Sequence, residues 1–343
     1  MTIKDLANIA GVSHSTVSRS LNDSPLISEK TKTRIKALAK EYNFELNASA
    51  RSLSTRITGT VGIICPEFYD EQRYSFYIAG LLDTIRYKLE EASYDSIITF
   101  PHNETTGSSN IKRLINQKKI DGLLLIVPEL DNADREIIHK YHMPHIFLHF
   151  KHAHPEDKNA EYIYTDHYRG GYLAGIYMMQ TGRNKFCVFT EDLVTSEYKE
   201  RTEGFQAALR DHGISPEKAK IFTGSCSFEY GYRTVHDNFS TVKEYDGIFA
   251  HADMVALGAI EALRERGMHV PDDIGVVGYD DIILGNYFRP KLTTIHQPKE
   301  TQVEKGTKRL FDLITKAEET GPLQDVVEPI LIERESCGRT GDN

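Results

Sequence analysis

Hydrophobic and polar residues follow two different periods along this chain. Over residues 1–44, apolar positions recur every three or four residues, which is the spacing of one face of an α-helix. From residue 60 onward, short apolar runs alternate with longer amphipathic stretches, beginning with Val61–Ile64 and ending with Ile274–Tyr279. Such alternation is typical of strands and helices that build parallel sheets covered on both faces. The pattern predicts an all-α head followed by an α/β body of two doubly wound subdomains.

The head contains a helix-turn-helix pattern. Helical spacing predicts helices over about Ile3–Ala10, His14–Leu21 and Glu29–Tyr42. Gly11 allows a sharp corner between the first two helices, and Ser13 and Ser28 are residues that cap helix N-termini. In such a unit the second helix enters the major groove of DNA. A small helical bundle with a solvated polar face fits the same periodicity.

Three polar residues of the second helix are candidates for contacting DNA bases. His14 and Ser15 lie at its N-terminal end, where recognition helices touch base edges, and Arg19 follows one turn later. An arginine can form a bidentate pair with guanine. The charge distribution agrees, because residues 1–58 carry a net charge of +4 and the remaining residues carry −13. Contact with a polyanion is therefore expected at the head alone.

Composition and motifs exclude several classes of protein. No apolar run approaches the roughly 20 residues of a membrane span, no export signal is recognisable, and the four cysteines lack metal-binding spacing. We therefore expect a cytoplasmic protein with reduced thiols. The Walker, nucleophile-elbow, HExxH and GxGxxG motifs are absent, so we expect neither an enzyme nor a cofactor. His149, His152 and His154 lie close together without a paired carboxylate or cysteine, and no metal site is predicted.

Two segments of the head resemble the LacI/GalR family of bacterial repressors. The sequence TIKDLANIAGVSHSTVSRSLN is similar to the family's N-terminal signature, and Asn47–Leu53 is similar to its hinge segment. The resemblance implies a hinge helix that folds only on DNA, with Leu53 of each subunit of a dimer wedged into the minor groove. It also implies contacts to DNA phosphates from five polar residues, namely Thr2, Ser13, Asn22, Ser28 and Asn47.

The body carries the same resemblance almost to its end. Val276–Asp281 and Leu292–Pro298 are similar to the family's last cleft strand and to its return crossing between subdomains. The resemblance implies the fold of periplasmic binding proteins, in which a ligand cleft separates two subdomains. The implied divisions are 1–46 for the helix-turn-helix domain, 47–59 for the hinge helix and linker, 60–163 with 293–325 for the N-subdomain, and 164–292 with 326–340 for the C-subdomain.

The resemblance also places an effector pocket in the cleft. Arg201 and Asp280 fall on the positions that hold the small-molecule effector in this family. A carboxylate that accepts from hydroxyls and a guanidinium that donates suit a polyhydroxyl ligand. Tyr74 falls on the family's aromatic position. His149 is either a ligand contact or a packed polar residue.

Three positions depart from the sugar-binding pattern of the family, and one of them is His149, where a member of the family has an aspartate. Cys226 stands where several members place an aromatic platform, and Ala252 stands where an asparagine often binds the ligand. Tyr74, Phe76 or Tyr77 is a candidate replacement, because sugar faces stack on aromatic rings, although Phe76 and Tyr77 also fit the core of a helix. These departures leave the identity of the effector open.

The resulting hypothesis is a homodimeric transcriptional repressor that binds a pseudo-palindromic operator in double-stranded DNA. A small-molecule effector, expected to be a carbohydrate or a derivative of one, would bind in the cleft and separate the hinge helices. The alternative is a global catabolite regulator whose co-regulator is a phosphorylated carrier protein. A solute-binding protein of transport, against which the head argues, and a sugar-active enzyme are the rivals from other classes.

Overall fold

The chain forms two compact units, residues 1–59 and residues 60–343. A computed structural model describes residues 1–44, 57–66, 75–151, 159–191, 196–316 and 321–338. The expected hinge helix, with Asn47 and Leu53, lies outside the described residues, and so does Tyr74.

Three helices form the first unit, and their bounds are α1 Ile3–Ala10, α2 His14–Leu21 and α3 Glu29–Glu41. Their apolar faces meet in a small core of Leu6, Ala7, Ala10, Val17, Ile35 and Ala39. Helix α1 ends at Gly11, whose φ of 64° is a conformation that favours glycine. Ser13 begins α2 by accepting the backbone N–H of Thr16. The helix-turn-helix prediction is confirmed.

The second unit alternates strands and helices. In chain order its elements are β1 Thr60–Ile64, α4 Phe76–Glu91, β2 Asp95–Thr99, α5 Asn110–Asn116, β3 Gly122–Leu125, α6 Asn132–Lys140, β4 His145–Leu148, β5 Tyr162–Thr165, α7 His167–Gln180, β6 Phe186–Thr190, α8 Ser196–Asp211, β7 Ala219–Thr223, α9 Phe228–Asp237, α10 Phe239–Val242, β8 Gly247–Ala250, α11 Asp253–Glu265, β9 Gly275–Asp280, β10 Thr293–His296, α12 Lys299–Thr315, β11 Gln324–Val327 and β12 Ile330–Ile332.

These strands form two six-stranded sheets. The first sheet has the order β11-β5-β4-β3-β1-β2 and is parallel throughout. The second has the order β12-β10-β9-β8-β6-β7 and is parallel except for β12, which runs antiparallel to β10 at the edge. Buried apolar clusters pack around both sheets, which explains why the central strands are continuous apolar runs. The predicted fold class of two doubly wound subdomains is confirmed. Within the described ranges, no helix has the length and apolar character needed to cross a membrane.

The chain crosses between the two sheets three times, after Thr165, His296 and Val327. The expected boundary before residue 293 is wrong, because β10 pairs in parallel with β9 and therefore belongs to the second sheet. The expected boundaries after residues 163 and 325 each shift by two residues, since β5 and β11 pair along their whole lengths in the first sheet. These assignments depend on which strands pair with each other, and a local sequence motif does not reveal that pairing.

Candidate functional site

The exposed side of α2 carries the three residues predicted to contact bases. His14, Ser15 and Arg19 are all exposed, whereas Val17 on the opposite side of the helix is buried in the core of the head. His14 and Ser15 form the first turn of α2, directly after its cap. This helix therefore presents a polar face that is not needed for packing within the head.

Residues predicted to contact phosphates lie at helix ends. Thr2, Ser13 and Ser28 are the exposed N-caps of α1, α2 and α3, and each side chain accepts a backbone N–H of its own helix. Asn22 directly follows α2 and is half-buried. A helix N-terminus has partial positive charge and N–H groups without helical partners, both of which suit a phosphate. Asn47, predicted for the same role, belongs to a range that is not described.

A cavity of about 260 Å³ lies between the two α/β subdomains. Its walls come from the carboxyl ends of strands in both sheets, where doubly wound folds bind their ligands. His149 and Phe150 follow β4 on one side, whereas Ala252 follows β8 and Asp280 ends β9 on the other side. The cavity therefore joins the two subdomains, and we call it the cleft.

Arg201 is buried in the wall of the cleft although it carries a charge. Only 3% of the residue is exposed. Its Nε donates to Nδ1 of His167 at 3.3 Å, and its Nη1 donates to the backbone carbonyl of His251. The guanidinium carbon lies 3.7 Å from the centroid of the Tyr279 ring, in a cation–π contact. These contacts fix the orientation of a guanidinium that lines the cavity.

Asp280 occupies the end of β9 in a strained backbone conformation. Its φ of 119° is one that residues with a side chain rarely adopt, and such strain is typical of functional sites. The carboxylate accepts a hydrogen bond from Nε2 of Gln297 at 2.7 Å. Burial raises the pKa of Asp280 to about 6, although the charge of Arg201 opposes the shift. Near neutral pH the group is therefore an anion that is readily protonated.

His149 is both packed and directed into the cleft. Its ring centroid lies 4.9 Å from that of Tyr77 and 4.5 Å from that of Phe150. Its Nδ1 is buried and has no hydrogen-bond partner among the described residues. Burial and the charge of Arg201 lower the pKa of His149 to about 3. A neutral imidazole thus lines the cleft.

Cys226 provides no aromatic platform, but aromatic rings from other positions line the cleft. Phe76 and Tyr77 both contribute to its wall, although Tyr77 is also almost wholly buried in the core. Tyr198 lines the cleft as well, and the guanidinium of Arg201 lies 5.1 Å from its ring centroid. The sequence analysis missed Tyr198. Its position three residues before Arg201 on α8 places both on one helix face, and that spacing was a usable signal.

Two acidic residues of the cleft were also missed, Glu191 after β6 and Glu197 in the first turn of α8. Together with Asp280 they give three carboxyl groups, and Arg201 is the one Lys or Arg among the described lining residues. This balance favours a neutral ligand over an anionic one. Nothing in the local sequence separates these two acids from surface acids, since only the fold brings them to the cleft.

A chain of side-chain hydrogen bonds leads from the cleft to the crossing segments. Gln302 on α12 donates to Oγ1 of Thr165 at 2.8 Å, and Thr165 donates to Gln297 at 3.1 Å. Gln297 in turn donates to Asp280. Thr165 and Gln297 lie at two of the three crossings, and Gln302, Thr165 and Gln297 are fully buried. A ligand at Asp280 would therefore be one residue away from the segments that connect the subdomains.

The sequence is similar over almost its whole length to bacterial repressors. Residues 2–47 match the family of bacterial regulatory proteins described as lacI, and residues 177–337 match a periplasmic binding protein-like domain. The HTH-type transcriptional repressor PurR of Klebsiella pneumoniae (strain 342) is 30% identical over 337 residues, which cover 98% of this chain and 96% of that protein. PurR of Serratia proteamaculans (strain 568) is 32% identical with the same coverage.

Solved structures show the same architecture. The complex of the transcriptional regulator CelR with cellobiose has a TM-score of 0.72 and 25% identity, covering 98% of this chain and 99% of that chain. The Lac repressor dimer bound to operator and the anti-inducer ONPF has a TM-score of 0.78 and 23% identity, with the same coverage. At that identity the second likeness shows the shared fold alone.

Proposed function

The chain belongs to the LacI family of bacterial regulatory proteins, and we propose that it is a homodimeric transcriptional repressor controlled by a carbohydrate bound in the cleft. Members of this family are DNA-binding regulators and not enzymes. One observation carries the assignment of the effector site. Arg201 is buried and Asp280 is half-buried, both are charged and line one cavity, and they make their hydrogen bonds to other residues instead of to each other. Such a pair is equipped to bind a polar ligand.

The chemistry of the cleft supports a neutral polyhydroxyl effector. Hydroxyl groups would donate to the carboxylate of Asp280 and accept from the guanidinium of Arg201. The rings of Phe76 and Tyr198 offer apolar surfaces for a sugar face. The excess of carboxyl groups over guanidinium disfavours sugar phosphates. The cellobiose complex of the relative CelR is a further argument for a carbohydrate.

The head supplies the contacts to a pseudo-palindromic operator. In this proposal α2 lies in the major groove, where His14, Ser15 and Arg19 contact base edges. Thr2, Ser13, Asn22, Ser28 and Asn47 contact phosphates and set the register of the head. Leu53 of each subunit enters the minor groove at the centre of the site, where unstacking one base step costs a few kcal/mol. The bent duplex then contacts more protein surface.

Control requires that the effector distinguishes two arrangements of the subdomains. His149 and Tyr77 line the cleft from the first subdomain, and Arg201 and Asp280 line it from the second. A ligand that contacts both sides binds best when they are close together. The resulting rotation about the crossing segments would change the spacing of the two hinge segments in a dimer. This change in spacing would alter the affinity for the operator.

Selection of duplexes from a random pool tests the DNA-binding part of the proposal. We expect enrichment of a pseudo-palindrome, and failure to enrich any sequence would overturn it. The selected duplex is then titrated with protein alone and with a panel of neutral sugars, sugar phosphates and a phosphorylated carrier protein. A shift in operator affinity with a neutral sugar supports the proposal, whereas a shift with the carrier protein alone supports the catabolite regulator.

Leu53→Ala tests the minor-groove contact. We expect the affinity for the selected operator to fall more than tenfold, with little change on unrelated duplex DNA, because the wedge acts only at the deformed centre of the site. Leu26→Ala is the matched control, since Leu26 is an exposed leucine of the head outside its helices. An equal loss on both duplexes would argue against a wedge.

A further inference from the structure

Three side chains from the segment after β2 and from the start of α6 converge in the first subdomain, and none of them lines the cleft. His102 follows the end of β2, Asp131 is the N-cap of α6, and Asp134 lies in the first turn of α6. Nε2 of His102 lies 3.0 Å from Oδ2 of Asp131 and 4.0 Å from Oδ2 of Asp134. One atom of each of the three side chains falls within 4.8 Å of the other two.

Hydrogen bonds hold each carboxylate with one oxygen turned toward His102. Oδ1 of Asp131 accepts the backbone N–H of Asp134 at 2.7 Å. Oδ1 of Asp134 accepts the hydroxyl of Ser109, which is itself the N-cap of α5. Ser109 and His102 are paired in an isolated antiparallel bridge, so the backbone also places the imidazole. Metal ligands are commonly oriented in this way by hydrogen bonds on their outer side.

The remaining oxygen of Asp134 is buried on the side of His102. Only 1% of Asp134 is exposed, and its Oδ2 has no hydrogen-bond partner among the described residues. The imidazole of His102, 4.0 Å away, is too distant to donate a hydrogen bond to that oxygen. A buried carboxylate oxygen without a partner is costly unless a positive charge lies against it.

We propose that His102, Asp131 and Asp134 bind a divalent first-row transition metal ion of the zinc or manganese type, with water completing its coordination. One imidazole nitrogen and two carboxylate oxygens are donors that these ions accept, whereas calcium and magnesium prefer oxygen donors alone. Metal–ligand bonds of about 2.1 Å place neighbouring donors roughly 3–3.5 Å apart, so the observed spacing requires only small movements. This site does not depend on the proposed function.

Zinc and manganese titrations of the full-length, chelator-treated protein test the site by calorimetry. We expect the wild type to bind one more ion per chain than either His102→Ala or Asp134→Asn binds. If the variants keep that ion, we expect the wild type to bind it at least tenfold more tightly. The matched control is His269→Ala, because His269 contacts Asp273 at 3.3 Å in an exposed pair that includes no buried carboxylate. Metal binding by the control should equal that of the wild type.

Two results would overturn the proposal. The first is that the wild type, His102→Ala and Asp134→Asn all bind each metal with the same stoichiometry and the same affinity. The second is a metal-free Asp134→Asn protein that melts several degrees below the metal-free wild type, because that result assigns Asp134 to an ion pair with His102. A metal site predicts an unchanged or higher melting temperature, since the substitution removes a buried charge whose Oδ2 has no hydrogen-bond partner among the described residues.

Discussion

Nε2 of Gln297 donates a hydrogen bond to Oδ1 of Asp280 at 2.7 Å, and this contact joins the cleft to the second crossing between the subdomains. Gln297 is fully buried and also accepts from Thr165 at the first crossing. The acid that is proposed to bind the effector is therefore tied to two of the segments about which the subdomains would move. The hydrogen bonds that link the carboxylate to both crossings run through fully buried side chains.

The raised pKa of Asp280 predicts a pH-dependent stability. Burial raises this pKa to about 6 from an ordinary value near 3.8, so the folded protein binds more protons than the unfolded chain between these values. The contribution of Asp280 to the free energy of unfolding is present below pH 3.8 and is lost as the pH rises through 6. Asp280→Asn should therefore raise the free energy of unfolding of the ligand-free protein by about 1–3 kcal/mol at pH 7.5, with a smaller gain at pH 5.

Denaturant unfolding at the two pH values measures this difference. Val277→Ala serves as the control, because Val277 is a buried residue of the same strand β9 and has no titratable group. Its effect on stability should be the same at pH 5 and at pH 7.5. An Asp280→Asn effect that does not change with pH would contradict the expected titration. The same variant should bind the effector more weakly, because an amide replaces the charged acceptor.

Ser13 is expected to have two separable roles. It caps α2 by accepting the N–H of Thr16 at 3.1 Å, and it is proposed to contact a phosphate. Ser13→Ala should cost the head about 1 kcal/mol and weaken binding to every duplex. Ser13→Asp should restore the cap but still weaken DNA binding, because its carboxylate repels phosphate.

Circular dichroism melts and fluorescence anisotropy separate these effects. Ser227→Ala is the control, since Ser227 caps α9 in the body by accepting the N–H of Tyr230. That substitution should lower stability without changing affinity for DNA. If Ser13→Asp bound DNA as well as the wild type, a phosphate contact at this position would be refuted.

Gly204 holds the helix of Arg201 close to its neighbour. A Cβ atom at Gly204 on α8 would lie 1.9 Å from the carbonyl oxygen of Tyr168 on α7. Gly204→Ala should therefore force α8 away and lower the free energy of unfolding by about 1–3 kcal/mol. Gly80→Ala is the control, because its Cβ would meet only the Lys299 side chain, at 3.5 Å. It should be neutral or stabilising by up to about 1 kcal/mol in urea melts. Equal effects of the two substitutions would contradict this packing role.

The parts of the fold with strong periodicity were predictable from the sequence. Helices α1 and α2 have the predicted bounds, because their apolar positions and caps are local features. Strand β7 was not predicted, since this edge strand is mostly half-exposed and has no continuous apolar run. Strand β12 was not predicted either, because its antiparallel pairing with β10 depends on residues far apart in the chain.

The candidate site was likewise predictable only where a local motif marks its residues. Arg201, Asp280 and His149 line the cleft at the positions that a family resemblance indicated. Glu191 and Glu197 carry no local motif, and only the fold brings them to the same cavity. The three residues proposed to bind a metal ion could not be recognised in the sequence, because His102 is far along the chain from the two aspartates and no cysteine or second histidine accompanies them.

The most direct test of effector control is the operator affinity of the double variant Arg201→Ala with Asp280→Asn, measured with and without the sugar found for the wild type. Fluorescence anisotropy on the selected operator gives both dissociation constants in one experiment. We expect the ligand-free affinity of the double variant to stay within about threefold of the wild type, with no response to sugar concentrations that saturate the wild type. A double variant that still responds as the wild type does would show that the effector acts elsewhere.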